Sequence, residues 1–216
     1  MKIGVLGAGL MSDALATRWV EAGHEVLIAG RTPERAALLA ERIGAGARHG
    51  TPREAAGFGD VVLVAIRHEG VLSTLRDAGA AEGAFQGKTI IDCNNPVEVE
   101  DFTLVTPAGT SLAERIQDLA TGSNVVKAFN LCQARVWEMR PPAFDGRPLA
   151  VPFAGDDAGS AALARTLIAD LGCVPVRIGP LHRARHLEAM AAVVIGLLFG
   201  GADPYTVFNL ITPAAA

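Results

Sequence analysis

The chain has 216 residues, of which 50% are hydrophobic and 19% are charged, and its formal net charge is −4. This length fits one large domain, or a core domain with a modest extension, and excludes a second large domain. The negative charge excludes a general attraction to nucleic acid. The longest uncharged stretch, residues 189–202, is shorter than the roughly 20 residues that a membrane-spanning helix needs, so we expect no membrane partner.

The start of the chain and the cysteines predict the cellular compartment. The first predicted strand begins at residue 2, which leaves no space for a signal peptide. Cys93, Cys132 and Cys173 are far apart and lack the spacing of metal ligands, so we interpret them as reduced thiols. These features predict a cytoplasmic protein.

Apolar runs alternate with helical segments along the chain. This alternation predicts a Rossmann-type α/β fold, with a doubly wound, mostly parallel sheet and a short C-terminal helical extension. In chain order, strands are expected at 2–6, 25–29, 47–50, 60–66, 88–92, 124–129, 149–154 and 174–178. Helices are expected from residue 13, at 34–43, after a start at 51–54, and at 71–78, 112–119, 158–171 and 183–200.

A glycine-rich turn separates the first strand from the first helix. Gly7 permits the tight turn, and Gly9 lets a pyrophosphate approach the backbone at the start of the helix, where free N–H groups and the positive end of the dipole lie. Ser12 occupies the third small position and still allows close packing of helix and strand. The strand, turn and helix together predict a dinucleotide site, against the alternative of a purely structural turn.

The end of the second strand predicts which dinucleotide binds. No carboxylate follows this strand to hold the ribose hydroxyls of NAD; Arg31 stands there instead, and Arg35 follows one helical turn later. Gly30 leaves room beside them, and Thr32 suits the cap of the next helix. Guanidinium groups match a phosphate, so we expect NADP(H) rather than NAD(H). The alternative is a pair of solvated arginines at a helix start.

Other strand ends should reach the same edge of the sheet, where ligands bind in open α/β folds. Arg67 and His68 follow the fourth strand and would approach the dinucleotide or point into water. Asn94 and Asn95 follow the fifth strand; they would hydrogen-bond near the nicotinamide or merely form an Asn-Pro turn. We favour the ligand-facing interpretation of the two asparagines.

These motifs, in this order, resemble those of the NADPH:coenzyme F420 oxidoreductases along nearly the whole chain. The chain is also similar to the cytosolic NADPH–flavin module of six-transmembrane metalloreductases. The motifs that carry the resemblance are Gly7–Met11, Gly30-Arg31 with Arg35, Asp92–Pro96, Val126–Asn130, Gly155–Asp157, Gly179–Leu181 and Ala184-Arg185 with Leu187-Glu188.

The resemblance implies an NADP-binding core at 1–124 and an extension at 125–216 that completes the sheet, the acceptor pocket and a homodimer contact. It implies that Ala8, Gly9, Leu10 and Met11 line the pyrophosphate, that Arg31 and Arg35 hold the 2′-phosphate, and that Ala65, Ile66, Arg67 and Ala128 lie near the dinucleotide. Two departures are that the family can carry a hydroxyl residue at position 30 and a Pro-Trp pair at positions 66 and 67.

The predicted chemistry is hydride transfer between NADP(H) and a small-molecule redox acceptor, with coenzyme F420 or a flavin as co-substrate. Such a transfer needs stacking and orientation more than acid–base groups, and we expect no catalytic side chain. Asn130, Leu131, Leu187 and Met190 are expected to contact the acceptor. Two alternatives stay open: reduction of a small imine or carbonyl compound, and NADP(H) sensing without turnover.

The histidines and cysteines give weaker signals. His182 and His186 are four residues apart, which hints at a metal pair, but no third ligand is evident and a solvated pair is the better interpretation. His24 lies between a helix and a strand and should be structural. Cys132 follows a strand end and would be reactive or, as we favour, packed. We therefore expect no metal.

Overall fold

The computed structural model describes residues 1–201 and contains one eight-stranded sheet with helices on both faces. The strands are β1 (Lys2–Leu6), β2 (Glu25–Ala29), β3 (Ala47–Gly50), β4 (Val61–Val64), β5 (Thr89–Asp92), β6 (Asn124–Lys127), β9 (Ala150–Gly155) and β10 (Val174–Gly179). A separate two-stranded ribbon consists of β7 (Ala143–Phe144) and β8 (Arg147–Pro148). The helices are α1 (Leu10–Glu21), α2 (Pro33–Ile43), α3 (Pro52–Phe58), α4 (His68–Asp77), α5 (Leu112–Leu119), α6 (Ala134–Trp137), α7 (Ala158–Ala169) and α8 (Ala184–Phe199).

The sheet order is β10-β9-β6-β5-β4-β1-β2-β3, and the six strands from β6 to β3 run parallel. The chain order reverses between β1 and β4, which is the topological switch point where open α/β sheets bind ligands. The predicted Rossmann fold is confirmed.

One part of the sheet departs from a parallel arrangement. Strand β9 pairs with β6 in the antiparallel sense, and β10 then pairs parallel to β9. The chain between β6 and β9 contains only α6 and the β7–β8 ribbon, so it lacks the long helical crossover that would return it in the parallel sense. Neither this ribbon nor α6 was predicted from the sequence.

Two strands are shorter than predicted because their last residues leave the sheet. Strand β4 ends at Val64, and Ala65 and Ile66 turn toward the ligand edge. Strand β6 ends at Lys127, two residues before Phe129, whose φ of 64° is a left-handed conformation that cannot continue a strand. Helix α4 begins earlier than predicted, at His68 rather than at residue 71.

The core consists of two apolar layers, one on each face of the sheet. On one face, Trp19 of α1 and Trp137 of α6 pack edge-on against Phe129, with ring centroids 5.9 and 5.4 Å from it. On the other face, Val71 and Leu75 of α4 pack with Ile116 of α5. Among residues 1–201, no helix combines the length and apolar character needed to cross a bilayer.

Candidate functional site

The turn after β1 is fixed by Gly7, whose φ of 124° favours glycine. A Cβ atom at this position would lie 2.1 Å from the carbonyl oxygen of Ala65, which no side chain could tolerate. The Gly7 N–H donates to the carbonyl of Ala29 over 2.7 Å. The turn therefore holds the ends of β1, β2 and β4 together at one place.

Gly9 behaves differently from Gly7. It precedes α1 with an extended backbone, and a Cβ built on it has no atom of the described residues within 4 Å. Helix α1 has no side-chain cap among these residues, so the N–H groups of its first turn are open to an acceptor. The start of α1 thus combines backbone donors, a positive dipole end and free space, which suits a phosphate.

A cleft of about 610 Å³ lies over the carboxyl ends of β1, β2 and β4. The glycine turn, the segment after β2, the start of α3 and one face of α4 form its walls. Most of the residues predicted at the cofactor line this cleft: Gly7, Ala8, Gly9, Gly30, Arg31, Thr32, Arg35, Ala65, Ile66 and Arg67. Residues predicted from three separate stretches of sequence therefore meet in one cavity.

Three arginines line the cleft, and they differ in whether a carboxylate of the described residues pairs with them. Arg67 pairs with Glu69 over 2.9 Å. Arg31 and Arg35 are exposed, and neither forms an ion pair with any residue that the structure describes. These two guanidinium groups are therefore available to an anionic ligand. Asp77 of α4 lines the same cleft and limits its positive charge.

The remaining predicted cofactor residues lie outside this cleft. Leu10 is 74% exposed at the start of α1, and Met11 beside it is half-buried. Ala128 is fully buried. Asn94 is buried, and its side-chain amide donates to the carbonyl of Val64 over 2.9 Å and to Asp92 over 2.7 Å. Its amide is therefore engaged inside the protein.

The predicted acceptor residues are partly brought together next to the cleft, along the ends of β5 and β6. The Asn130 amide donates to the carbonyl of Leu187 over 3.0 Å and to Asn95 over 2.9 Å. Asn95 donates in return to the carbonyl of Asn130 over 2.7 Å. Leu131 is half-buried, and Met190, which lies almost one turn beyond Leu187 on α8, is 45% exposed. The asparagine pair thus connects two strand ends to α8.

A buried ion cluster of Asp92, Lys127 and Glu188 lies beneath the asparagine pair, and it was not predicted from the sequence. The Lys127 ammonium donates to Asp92 over 2.8 Å and to Glu188 over 2.9 Å, and all three side chains are fully buried. Burial alone would lower the pKa of Lys127, but the two carboxylates raise it above its ordinary value. Burial raises the pKa of Glu188, against the attraction of Lys127. A lysine inside the apolar stretch 125–129 was the available signal.

The histidines and cysteines differ in burial and in their hydrogen-bond partners. His24 contacts the N-terminal amine and Asp170 over 2.9 and 2.8 Å, as expected of a structural residue. His182 and His186 are exposed. Burial raises the pKa of the Cys132 thiol to about 11. Within residues 1–201, no cluster of three or more potential metal ligands occurs.

The chain is similar to a family of known proteins and to several of its members. Residues 2–96 match the model of a family described as "NADP oxidoreductase coenzyme F420-dependent". The F420-dependent NADP reductase of Methanocaldococcus jannaschii is 27% identical over 217 residues, covering 91% of this chain and 92% of that protein. A crystal structure titled as that of a "putative f420 dependent nadp-reductase" from Arthrobacter sp. FB24 superposes with a TM-score of 0.82, at 27% identity, over 94% of this chain and 96% of that one.

A further relative is much longer than this chain. Metalloreductase STEAP3 of Rattus norvegicus is 31% identical over 191 residues, which cover 88% of this chain. Those residues make up 36% of the metalloreductase, so this chain spans about a third of its length.

Proposed function

Because the chain belongs to the F420-dependent NADP oxidoreductase family, we propose that it transfers a hydride between NADP(H) and a redox acceptor. The acceptor is either a deazaflavin (coenzyme F420) or a flavin. One observation carries the proposal: a glycine turn that opens α1 shares a single cleft with two arginines free of ion pairs among the described residues. The F420-dependent reductases support a deazaflavin as acceptor. The similarity to a metalloreductase supports the broader class of redox acceptors.

In this proposal the two ends of the cleft bind different parts of the dinucleotide. The turn from Gly7 to Gly9 and the first N–H groups of α1 hold the pyrophosphate. Arg31 and Arg35 hold the 2′-phosphate, each through charge-assisted hydrogen bonds. Leu10 and Met11, which do not line the cleft but begin α1 directly after Gly9, would flank the pyrophosphate.

The nicotinamide lies toward the ends of β4, β5 and β6 in this proposal. Ala65 and Ile66 form the cleft wall on the β4 side. Asn95 and Asn130 lie on the β5 and β6 side, and Asn130 Oδ1 is buried without a hydrogen-bond partner among the described residues. A carboxamide N–H would satisfy this acceptor, since buried polar atoms are normally paired.

The bound rings supply the reactive carbon atoms, so the protein has to bind and orient them. Apolar contact from Leu131 and Met190 would hold the acceptor ring, Leu187 would add little contact because it is only 2% exposed, and Asn130 would orient a polar edge. No side chain is needed as an obligatory acid or base, because solvent can handle any later proton.

A spectroscopic screen tests the proposed acceptor. The purified protein is mixed with NADPH and, separately, with coenzyme F420, FMN, FAD, a quinone and a cyclic imine, and the oxidation of NADPH is followed by its absorbance. The proposal expects turnover with the deazaflavin or the flavins. Turnover with the imine alone would indicate an imine or carbonyl reductase. Stoichiometric binding of NADPH without oxidation by any acceptor would indicate a sensor.

We also propose that a second copy of the chain covers the outer face of α8. Several apolar side chains of this helix are exposed, with Met190 at 45%, Val193 at 54% and Phe199 at 75%. A two-fold contact would bury this surface in both copies. Light scattering at micromolar concentration should give about twice the 22.4 kDa of one chain, and the mass of a single chain would contradict the dimer. The sequence predicts that Ile211 and its apolar neighbours extend this surface, but they lie outside the described residues.

A further inference from the structure

The ion cluster of Asp92, Lys127 and Glu188 has no part in the mechanism above, yet it contains three fully buried charged side chains. Its ammonium group makes three hydrogen bonds, to Asp92, to Glu188 and to the backbone carbonyl of Asn94. Buried ion clusters add little net stability, because desolvation offsets most of the attraction between the charges. A contribution to folding stability therefore does not explain why the chain contains this cluster.

Glu188 connects the cluster to two helices at once. It belongs to α8, and its carboxylate accepts hydrogen bonds from the backbone N–H groups of Leu112 and Ala113, over 3.0 and 3.4 Å. These N–H groups open helix α5, so the carboxylate also lies at the positive end of that helix. Glu188 thus fixes α8 relative to α5 and to the ends of β5 and β6.

Asp92 connects the cluster to the loop after β5. Its Oδ1 atom accepts hydrogen bonds from the backbone N–H of Asn94 over 3.0 Å and from the Asn94 amide over 2.7 Å. Lys127 binds both the Asp92 carboxylate and the Asn94 carbonyl. It therefore fixes the side chain at the start of this loop and the backbone two residues later. Asn95, which pairs with Asn130, is the next residue of the same loop.

Helix α8 makes a second contact in the same place through the preceding residue. The Leu187 carbonyl accepts from the Asn130 amide over 3.0 Å, while Glu188 holds Lys127. Two consecutive residues of α8 are therefore hydrogen-bonded to residues at or just beyond the end of β6. A shift of α8 would move the asparagine pair with it.

We propose that Glu188 is a positioning residue, which acts through Lys127 to place Asn95 and Asn130 at the nicotinamide end of the site. The inference rests on the proposed function, since that function puts the nicotinamide at this end. It assigns a role in binding geometry to a side chain that does not touch the cofactor. Loss of the carboxylate should therefore weaken ligands that carry a nicotinamide more than ligands that lack one.

The test compares two ligands in the variant Glu188→Gln. Adenosine 2′,5′-bisphosphate carries the 2′-phosphate but no nicotinamide, whereas NADPH carries both. By calorimetry, the variant should bind the bisphosphate within about twofold of the unmodified protein and NADPH at least about fivefold more weakly. Equal weakening of both ligands, or no change in either, would overturn the proposal.

The matched control is Glu114→Gln. Glu114 also joins α5 to α8, because it caps α5 beside Ser111 and pairs with Arg185, but this contact is only partly buried and does not involve Lys127. A merely structural attachment of α8 would make the two variants behave alike. The proposal expects the control to bind both ligands as the unmodified protein does.

Two further measurements keep the result decisive. Should Glu188→Gln fail to fold, as judged by circular dichroism, the double variant Lys127→Met with Glu188→Gln keeps the net charge of the cluster at −1 and should show the same NADPH-specific loss. In acceptor assays, Glu188→Gln should raise the KM of the acceptor more than it lowers kcat. If no acceptor oxidises NADPH even with the unmodified protein, the proposed function fails, while the two-ligand comparison still decides the role of Glu188.

Discussion

Gly7 packs so closely on Ala65 that a single added carbon atom would lie 2.1 Å from the Ala65 carbonyl oxygen. Gly9, two residues later, has open space where a Cβ would stand. The two glycines of one turn therefore serve different purposes. Gly7 is required by the fold, whereas the fold leaves room for a side chain at Gly9.

This contrast predicts opposite behaviour of two variants. Gly7→Ala should lower the thermal midpoint strongly, because the left-handed backbone and the contact with Ala65 both disfavour a side chain. Gly9→Ala should fold with an unchanged midpoint but bind NADPH at least about tenfold more weakly, since its Cβ would occupy the space that we propose for the pyrophosphate. Gly57→Ala, also in open space, is the control and should change neither property for the worse. Normal NADPH binding by Gly9→Ala would contradict the pyrophosphate site.

Gly30 offers a variant that should improve binding. A Cβ at this position would meet the Ala8 Cβ at 3.4 Å, which is ordinary contact, and Gly30 has a backbone that other residues adopt. Gly30→Ser should therefore fold normally and add a hydroxyl donor beside Arg31, with NADPH affinity rising by about threefold to tenfold. Gly30→Ala has the same backbone without the hydroxyl and should not improve binding. Equal affinities of the two variants would show that the hydroxyl does not reach a phosphate.

No side chain should be an obligatory acid or base. His182 is exposed, His68 has Glu69 as its nearest charged partner, at 3.7 Å, and burial raises the pKa of Cys132 to about 11, which keeps its thiol protonated. Individual replacement of His68, His182 or Cys132 by Ala should change kcat only a few-fold, whereas loss of a true acid or base costs roughly 10²–10⁴-fold. A variant that binds NADPH normally but no longer turns over would identify a proton donor and an imine or carbonyl substrate.

Glu114 should make the free energy of unfolding depend on pH in the acidic range. The hydrogen bond from Arg185 lowers the pKa of this carboxyl below its ordinary value of 4.5. Its ionised form therefore stabilises the fold above about pH 4.5, and this contribution is lost as the pH falls through the lowered pKa. Glu114→Gln should cost about 1 kcal/mol at neutral pH and reduce the loss of stability on acidification.

Urea denaturation at several pH values measures the effect of Glu114. The control is Glu82→Gln, which breaks an exposed pair with Arg53 and should change stability by less than about 0.5 kcal/mol. An identical pH dependence in Glu114→Gln and the unmodified protein would contradict the role of the Arg185 pair.

The sequence predicted the part of the fold that local patterns determine. Strand β2 and helix α5 lie where periodicity places them, and Thr51 caps α3 together with Glu54 as expected from the helix start at 51–54. The antiparallel pairing of β9 with β6 was not predicted, because the length and composition of the connection between them do not determine the direction of the next strand. The short ends of β4 and β6 depend on tertiary contacts, such as the left-handed Phe129 between two tryptophan rings.

The cleft was more predictable than the cluster beneath the asparagine pair. Glycine spacing and the arginines at 31 and 35 are local signals, and the structure brings them into one cavity. Asp92, Lys127 and Glu188 come from three distant stretches, so only the folded chain reveals that Glu188 reaches Lys127. The predicted role of Asn94 beside the nicotinamide stays a prediction, although its amide is engaged with Val64 and Asp92.

The most direct test of the account is calorimetric binding of NADPH and NADH to the unmodified protein and to Arg31→Ala. Charge-assisted hydrogen bonds of about 1.5–3 kcal/mol each would be lost with NADH, which lacks the 2′-phosphate. We expect NADPH to bind at least about tenfold more tightly than NADH, and Arg31→Ala to lose most of this difference while NADH binding stays almost unchanged. Arg48→Ala, an exposed arginine outside the cleft that pairs with Glu25, should retain the preference. Equal affinities of the unmodified protein for NADPH and NADH would contradict the assignment of Arg31 and Arg35 to the 2′-phosphate.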